Sequence, residues 1–199
     1  MSKLLLLFSF AGLSACGGPA DPIWAPQDAI QKYSYRHNGP PMITLYTVVS
    51  TKSGSGAHSG LLINASERII FDPAGTFELP FTPERNDVHF GMTPRAVAVY
   101  IDYHARESYN VIEQRLPVTA KQAEMIAKRA KEYGAVPKAQ CTLAITRILK
   151  DISGFETISV GYFPKRASEW FDAQPGVQTR LITDDDADKN HNVLFEASR

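Results

Sequence analysis

Apolar positions along the chain recur first with the period of a strand and later with the period of a helix. Ile43 to Ser50 (Ile-Thr-Leu-Tyr-Thr-Val-Val-Ser), Ala57 to Asn64 and Arg68 to Asp72 are short β-rich runs. Thr51-Lys-Ser-Gly-Ser-Gly56, Ala65-Ser-Glu67 and Pro73-Ala-Gly75 punctuate them, so an antiparallel meander is predicted. Residues 76–92, with Pro80 and Pro83, follow no period. Thr93-Pro94 opens a predicted helix to about Arg106, threonine as N-cap and proline as first residue, with Val97, Tyr100, Ile101 and His104 on one stripe. Tyr109 to Arg115 reads as a strand stopped by Pro117, and Thr119-Ala-Lys-Gln122 is a capping box whose helix ends at Tyr133-Gly134. Leu143, Ile145, Ile148, Leu149 and Ile152 give the next helix, from Cys141 to a stop at Gly154. Phe163-Pro164 opens a short helix through Trp170 and Phe171. Val177 to Thr183 is expected as a last or edge strand, Asp184 to Asn190 as an exposed acidic loop and Val193 to Glu196 as a short strand. Three strands, a helix, a strand and then helices predict one α+β domain over residues 43–199: a small antiparallel sheet packed against helices on one side.

The N-terminus follows different rules. A charged start, Met1-Ser-Lys3, precedes the apolar run Leu4 to Leu13, too short to span a bilayer. It ends in Leu13-Ser-Ala-Cys16-Gly-Gly, which resembles a bacterial lipobox, cut before a cysteine that then carries lipid. The resemblance implies a signal peptide over residues 1–15, lipidation at Cys16 and a membrane anchor through that lipid. Gly17, rather than Asp, after the cysteine implies an outer-membrane address facing the periplasm. Residues 16–42, with Pro19, Pro22, Pro26, Pro40 and Pro41, read as a tether with a helical turn near Asp28–Tyr35.

Composition narrows the chemistry. Lys+Arg and Asp+Glu are equal at 21 each, which gives nucleic acid no electrostatic footing. There are two cysteines, and lipid on Cys16 leaves Cys141 without a partner in the chain. In an oxidising envelope such a thiol is either buried as a small apolar residue or used. At a helix start it faces unpaired N–H groups and the positive end of the helix dipole, and both favour thiolate. A cysteine nucleophile also needs a base and a group to orient it. Of His37, His58, His89, His104 and His191, His58 is the best placed. It opens a strand after a Gly-Ser-Gly turn, with Gly60 allowing close approach; His89 is a spare. Asp72 is the best orienter, ahead of Asn64 and Ser59. If residues 64–66 form the hairpin loop, His58 and Asp72 pair directly on one face, whereas a two- or four-residue loop puts them on opposite faces; the sequence leaves both open. His58, His89, His104 and Asp72 lack a metal-ligand spacing, so no metal or other cofactor is expected. Asp184, Asp186, Asp188 and Asn190 alternate as in calcium loops. Lys189 stands where glycine belongs and Phe195 where glutamate belongs, so this is read as a solvated turn.

A strand beginning Ala57-His58-Ser-Gly60-Leu-Leu-Ile, a hairpin, and a later helix beginning Gln140-Cys141-Thr142 resemble the permuted papain-like cysteine hydrolases. These are relatives of NlpC-type peptidases and lecithin–retinol acyltransferases, and their histidine precedes the cysteine. The resemblance covers residues 43–75 and 136–152, with a long insert between, and Gln140 replaces the family's usual Asn. It implies Cys141 as nucleophile, His58 as base and Asp72 as third member. It also implies an amide or ester substrate such as a peptidoglycan peptide or a lipid. Gly91-Met-Thr-Pro-Arg-Ala-Val, Tyr100-Ile-Asp-Tyr-His-Ala-Arg106 and Gly134-Ala-Val-Pro look like an uncharacterised group of alphaproteobacterial envelope lipoproteins. The expectation is an envelope-anchored thiol hydrolase. The alternative is a non-catalytic lipoprotein of the same fold that binds a wall fragment or a protein partner.

Overall fold

The structure, a computed structural model, describes residue 20 and residues 22–199, so the signal-peptide and Cys16 readings lie outside the described residues. The three-strand meander is present as β1 (Met42–Ser50), β2 (Gly56–Asn64) and β3 (Arg68–Phe71). After it come the two-residue strands β4 (Glu84–Arg85) and β5 (Val88–His89), too short to leave a period in the sequence. Two further strands, β6 (Tyr109–Pro117) and β7 (Gln178–Ile182), complete an open antiparallel sheet in the order β4-β5-β3-β2-β1-β6-β7.

The α+β class is as expected, but helices cover both faces of the sheet rather than one. Alternation along β1 explains this, because both of its faces are apolar. Ile43 and Leu45 point into a core shared with α3 (Ala120–Tyr133), α4 (Cys141–Lys150) and α5 (Pro164–Asp172). Tyr46 and Val48 point into a second core, shared with α2 (Pro94–His104) and α6 (Asn190–Ala197). A strand buried on both sides needs a layer on each. The caps read from sequence are in place. The Thr93 side chain accepts the Ala96 N–H, and Thr119 and Gln122 close a reciprocal capping box.

Two other expectations change. Val193 to Glu196 lies inside α6 and is not a strand. Leu194 is buried against the α2 side, and Asn190 Nδ2 donates to the Tyr103 carbonyl at 2.6 Å, so tertiary packing sets the helix. The described part of the 16–42 segment is docked rather than hanging free. α1 (Gln27–Tyr33) buries Ile30 in the first core, and Ala25 and Asn86 N–H groups bond to Glu84 and Ile23 carbonyls. No helix among the described residues is long and apolar enough to cross a membrane.

Candidate active site

The site forms where β2 outruns β3. The β2–β3 ladder runs from Asn64↔Arg68 to Leu61↔Phe71 and stops, leaving the first half of β2 open on that side. On the other side, β1 pairs Val48 with His58 but Val49 with Gly56, so Ala57 is an unpaired bulge residue immediately before the histidine. Such bulges re-aim the side chain that follows them. His58 points to the α2 face, and its neighbour Ser59 points to the α4 face.

The hairpin loop is residues 65–67, one step later than the 64–66 loop considered from sequence. Continuing the ladder sets Asp72 opposite Gly60 rather than His58. A shift of this kind keeps the face parity, so His58 and Asp72 become diagonal neighbours on one face. His58 Nε2 meets Asp72 Oδ1 at 2.7 Å. Gly60 makes the diagonal passable: a Cβ there would lie 2.1 Å from Tyr100 Oη and 3.2 Å from Asp72 Oδ1. Tyr100, from α2, donates its O–H to the same Asp72 oxygen at 2.7 Å. His104, one turn on, stacks parallel on His58 with centroids 5.5 Å apart. Its Nδ1 lies 2.8 Å from the Tyr100 carbonyl, which only accepts, so the proton is on Nδ1. The apolar stripe of α2 is visible in the sequence, but nothing in it shows that Tyr100 and His104 cross to the His58 relay.

Cys141 enters from the other layer. The turn before it is tight, with Ala139 at φ 65° and the Gln140 N–H bonded to the Pro137 carbonyl. Asp87, which the sequence reading passed over, staples this turn to the one after β3. Its carboxylate accepts the Val136 N–H at 2.7 Å and the Ala74 N–H at 3.1 Å, and its carbonyl accepts the Asp72 N–H. At the start of α4, Thr142 Oγ1 lies 3.1 Å from Ser59 Oγ, which ties the Cys141 turn to β2. The sulfur is thereby brought round the open edge of β2 to the side of His58, whose charge acts on it, and its nearest hydrogen-bonding partner is Thr142 Oγ1 at 3.8 Å. Cys141 is 7% exposed. The Cys141, Thr142 and Leu143 N–H groups have no acceptor among the described residues, and Gln140 makes no side-chain cap.

The charges follow from these contacts. Burial works against a charged His58, but Asp72, through its charge and its hydrogen bond, and then Cys141 raise the pKa to about 10. Asp72 is buried too, yet His58, with smaller help from His104 and His89, holds it well below the usual carboxylate range. Burial alone would raise the Cys141 thiol; the hydrogen bond and charge of His58 and the Ser59 N–H bring it down instead. His104, buried and close to charged His58, is lowered to about 4 and stays neutral.

Comparison with protein-family models, with curated proteins and with solved structures yields no match.

The predicted Cys141, His58 and Asp72 are thus brought together. His89 is not part of the group: it lies in β5, packed edge-on to Phe77 with Glu84 Oε2 at 4.0 Å. Asp102 binds Arg106, which reaches back to Asp186 of the acidic loop. A cleft of about 210 Å³ opens beside His58, lined also by Gly75, Thr76, Tyr103 and His104. One ligand atom each from His58, Asp72 and His104 lie within 4.8 Å of one another, as do those of Asp102, Asp184 and Asp186, so among the described residues these two trios could hold a metal ion.

Proposed function

We propose that this chain is a cysteine hydrolase of the permuted papain-like kind, held by lipid on Cys16 at the periplasmic face of the outer membrane. The observation that carries the reading is the bond from His58 Nε2 to buried Asp72 at 2.7 Å, with the Cys141 sulfur near enough to the ring for each to shift the other's titration. Asp72 stabilises the imidazolium, and the imidazolium stabilises the thiolate. The thiolate attacks the carbonyl carbon of an amide or ester. The unpaired N–H groups at the start of α4 receive the oxyanion, the Cys141 N–H first among them. His58 then gives its proton to the leaving amine or alcohol. Water, deprotonated by His58, cleaves the acyl-enzyme and restores the thiol. The exposed Val160, Tyr162 and Phe163 offer the substrate's apolar part a landing. They flank Gly161, whose N–H bonds to Thr146 of α4, and Pro164, which packs on Gly56 near His58.

The burial of Cys141 favours a second reading, a non-catalytic lipoprotein that binds a wall fragment or a protein partner. A cysteine-reactive activity probe separates the two. The hydrolase reading expects labelling of the folded, reduced protein that is abolished in Cys141→Ala and at least 10-fold slower in His58→Ala. Absence of labelling in the wild type rejects it. Incubation with purified peptidoglycan and with phospholipids, read by mass spectrometry, then identifies the bond cleaved.

A further inference from the structure

Arg68 is a buried cation without an anion. It is 7% exposed and forms no salt bridge among the described residues. Buried arginines are rarely left so. Its Nε donates to the Met92 carbonyl at 2.5 Å, and its guanidinium lies 5.2 Å from the Tyr35 ring centre. These contacts fix the plane of the group but supply no negative charge, and its terminal nitrogens have no acceptor among the described residues.

Arg68 lines a groove of about 480 Å³ on the α2 face of the sheet. Pro94, Val97, Ala98 and Ile101 of α2 form one wall. Arg115, on β6, lies in the groove and forms no salt bridge among the described residues. The one acid of the lining is Glu113, and Arg180 takes it at 3.1 Å, with Tyr46 O–H on its other oxygen at 3.4 Å. His37, lowered by burial and by Arg68 and Arg115, adds no charge near neutral pH. Among the described residues, Arg68 and Arg115 therefore remain without an anion. Val97 and Ile101 give the groove an apolar side.

We propose that this groove is a binding site for a phosphate monoester, with the phosphoryl group on Arg68 and Arg115 and the organic part against Val97 and Ile101. Two guanidinium forks match a dianion in charge and present paired donors to its oxygens. The volume falls in the small-ligand range of roughly 300–1,000 Å³. The site is independent of the thiol chemistry. Cys141, His58, Asp72, Tyr100 and His104 are all absent from its lining.

The test is isothermal titration of the purified full chain with phenyl phosphate at fixed salt. The proposal expects saturable 1:1 binding, weakened at least 10-fold in Arg115→Met, an exposed position where folding is not at stake, and lost in Arg68→Met. Benzoate should bind at least 10-fold more weakly than phenyl phosphate. Cys141→Ala should bind phenyl phosphate as the wild type does, so failure of the hydrolase reading leaves this result standing. A second arm offers vesicles of phosphatidylcholine with and without phosphatidic acid. Vesicle binding that needs both phosphatidic acid and Arg115 assigns the phosphate to a lipid headgroup; phenyl phosphate binding without it assigns a soluble ester. No saturable binding to either probe, binding indifferent to Arg115→Met, or benzoate bound as tightly as phenyl phosphate would overturn the proposal.

Discussion

Gly60 is the residue on which the His58–Asp72–Tyr100 relay depends. A β-carbon there would meet Tyr100 Oη at 2.1 Å, so Gly60→Ala must push the tyrosine off Asp72. The expected loss is about 1–3 kcal/mol in a urea melt, as for other overpacked sites, together with slower alkylation of Cys141 by iodoacetamide. The pH profile of that alkylation tests the charge order. The rate should fall, as pH is lowered, at a pH below that of an ordinary thiol, because His58 stabilises the thiolate. In Asp72→Asn the imidazolium loses its carboxylate, so the acid limb should move to higher pH. His104 gives a stability test with a definite sign. Its folded pKa is depressed to about 4 against 6.5 unfolded, so below 6.5 the unfolded chain binds the extra proton and stability falls until about 4. His104→Phe should flatten that fall, by up to about 3 kcal/mol on the linkage scale, in thermal melts across the window. At this scale the sequence was informative about Cys141, His58 and Asp72, because each sits at the end of a recognisable element. It was silent on Tyr100 and Asp87, whose roles come from contacts made across the fold.

At the scale of elements, the helices could be read because caps and period leave marks in the chain. Thr93-Pro94 and Thr119 to Gln122 start their helices as expected. The pairing of β2 with β3 could not be read, because either parity was open until the loop length was known. The outcome, a three-residue loop with Asp72 facing Gly60, rests on the turn. β4 and β5 are too short to show alternation, yet Asp87, in the turn between them, holds the two loops that carry Asp72 and Cys141. Asp87→Ala strips two N–H groups of their acceptor, and an expected loss of roughly 1–3 kcal/mol follows. Cys141 labelling should slow even where the variant is fully folded. Asp87→Asn keeps one acceptor oxygen and should fall between the two.

For the molecule as a whole, the sequence suggested helices on one side of the sheet, and the layer on the second face, demanded by the two apolar faces of β1, was missed; which helix covers which face depends on the crossovers and is not written in any period. The layer carrying Cys141 rests on α4, whose Ile145 is fully buried in the first core. Ile145→Ala should destabilise the chain by about 2–5 kcal/mol, the range for deleting a buried branched side chain, measured by chemical denaturation.

His58 and Ser59 are consecutive but face opposite ways, so the acid–base pair is assembled from two separately packed halves of a sandwich, joined around the uncovered margin of β2. The sulfur takes its acidity from a ring that belongs to the other half. A partner or a membrane surface that tilted the α2 layer by an ångström or two would lift Tyr100 from Asp72 and His104 from His58, disturbing the imidazolium on which Cys141 depends while leaving the sulfur as deeply enclosed as before. The chemistry of this one atom therefore reports whether both halves are seated.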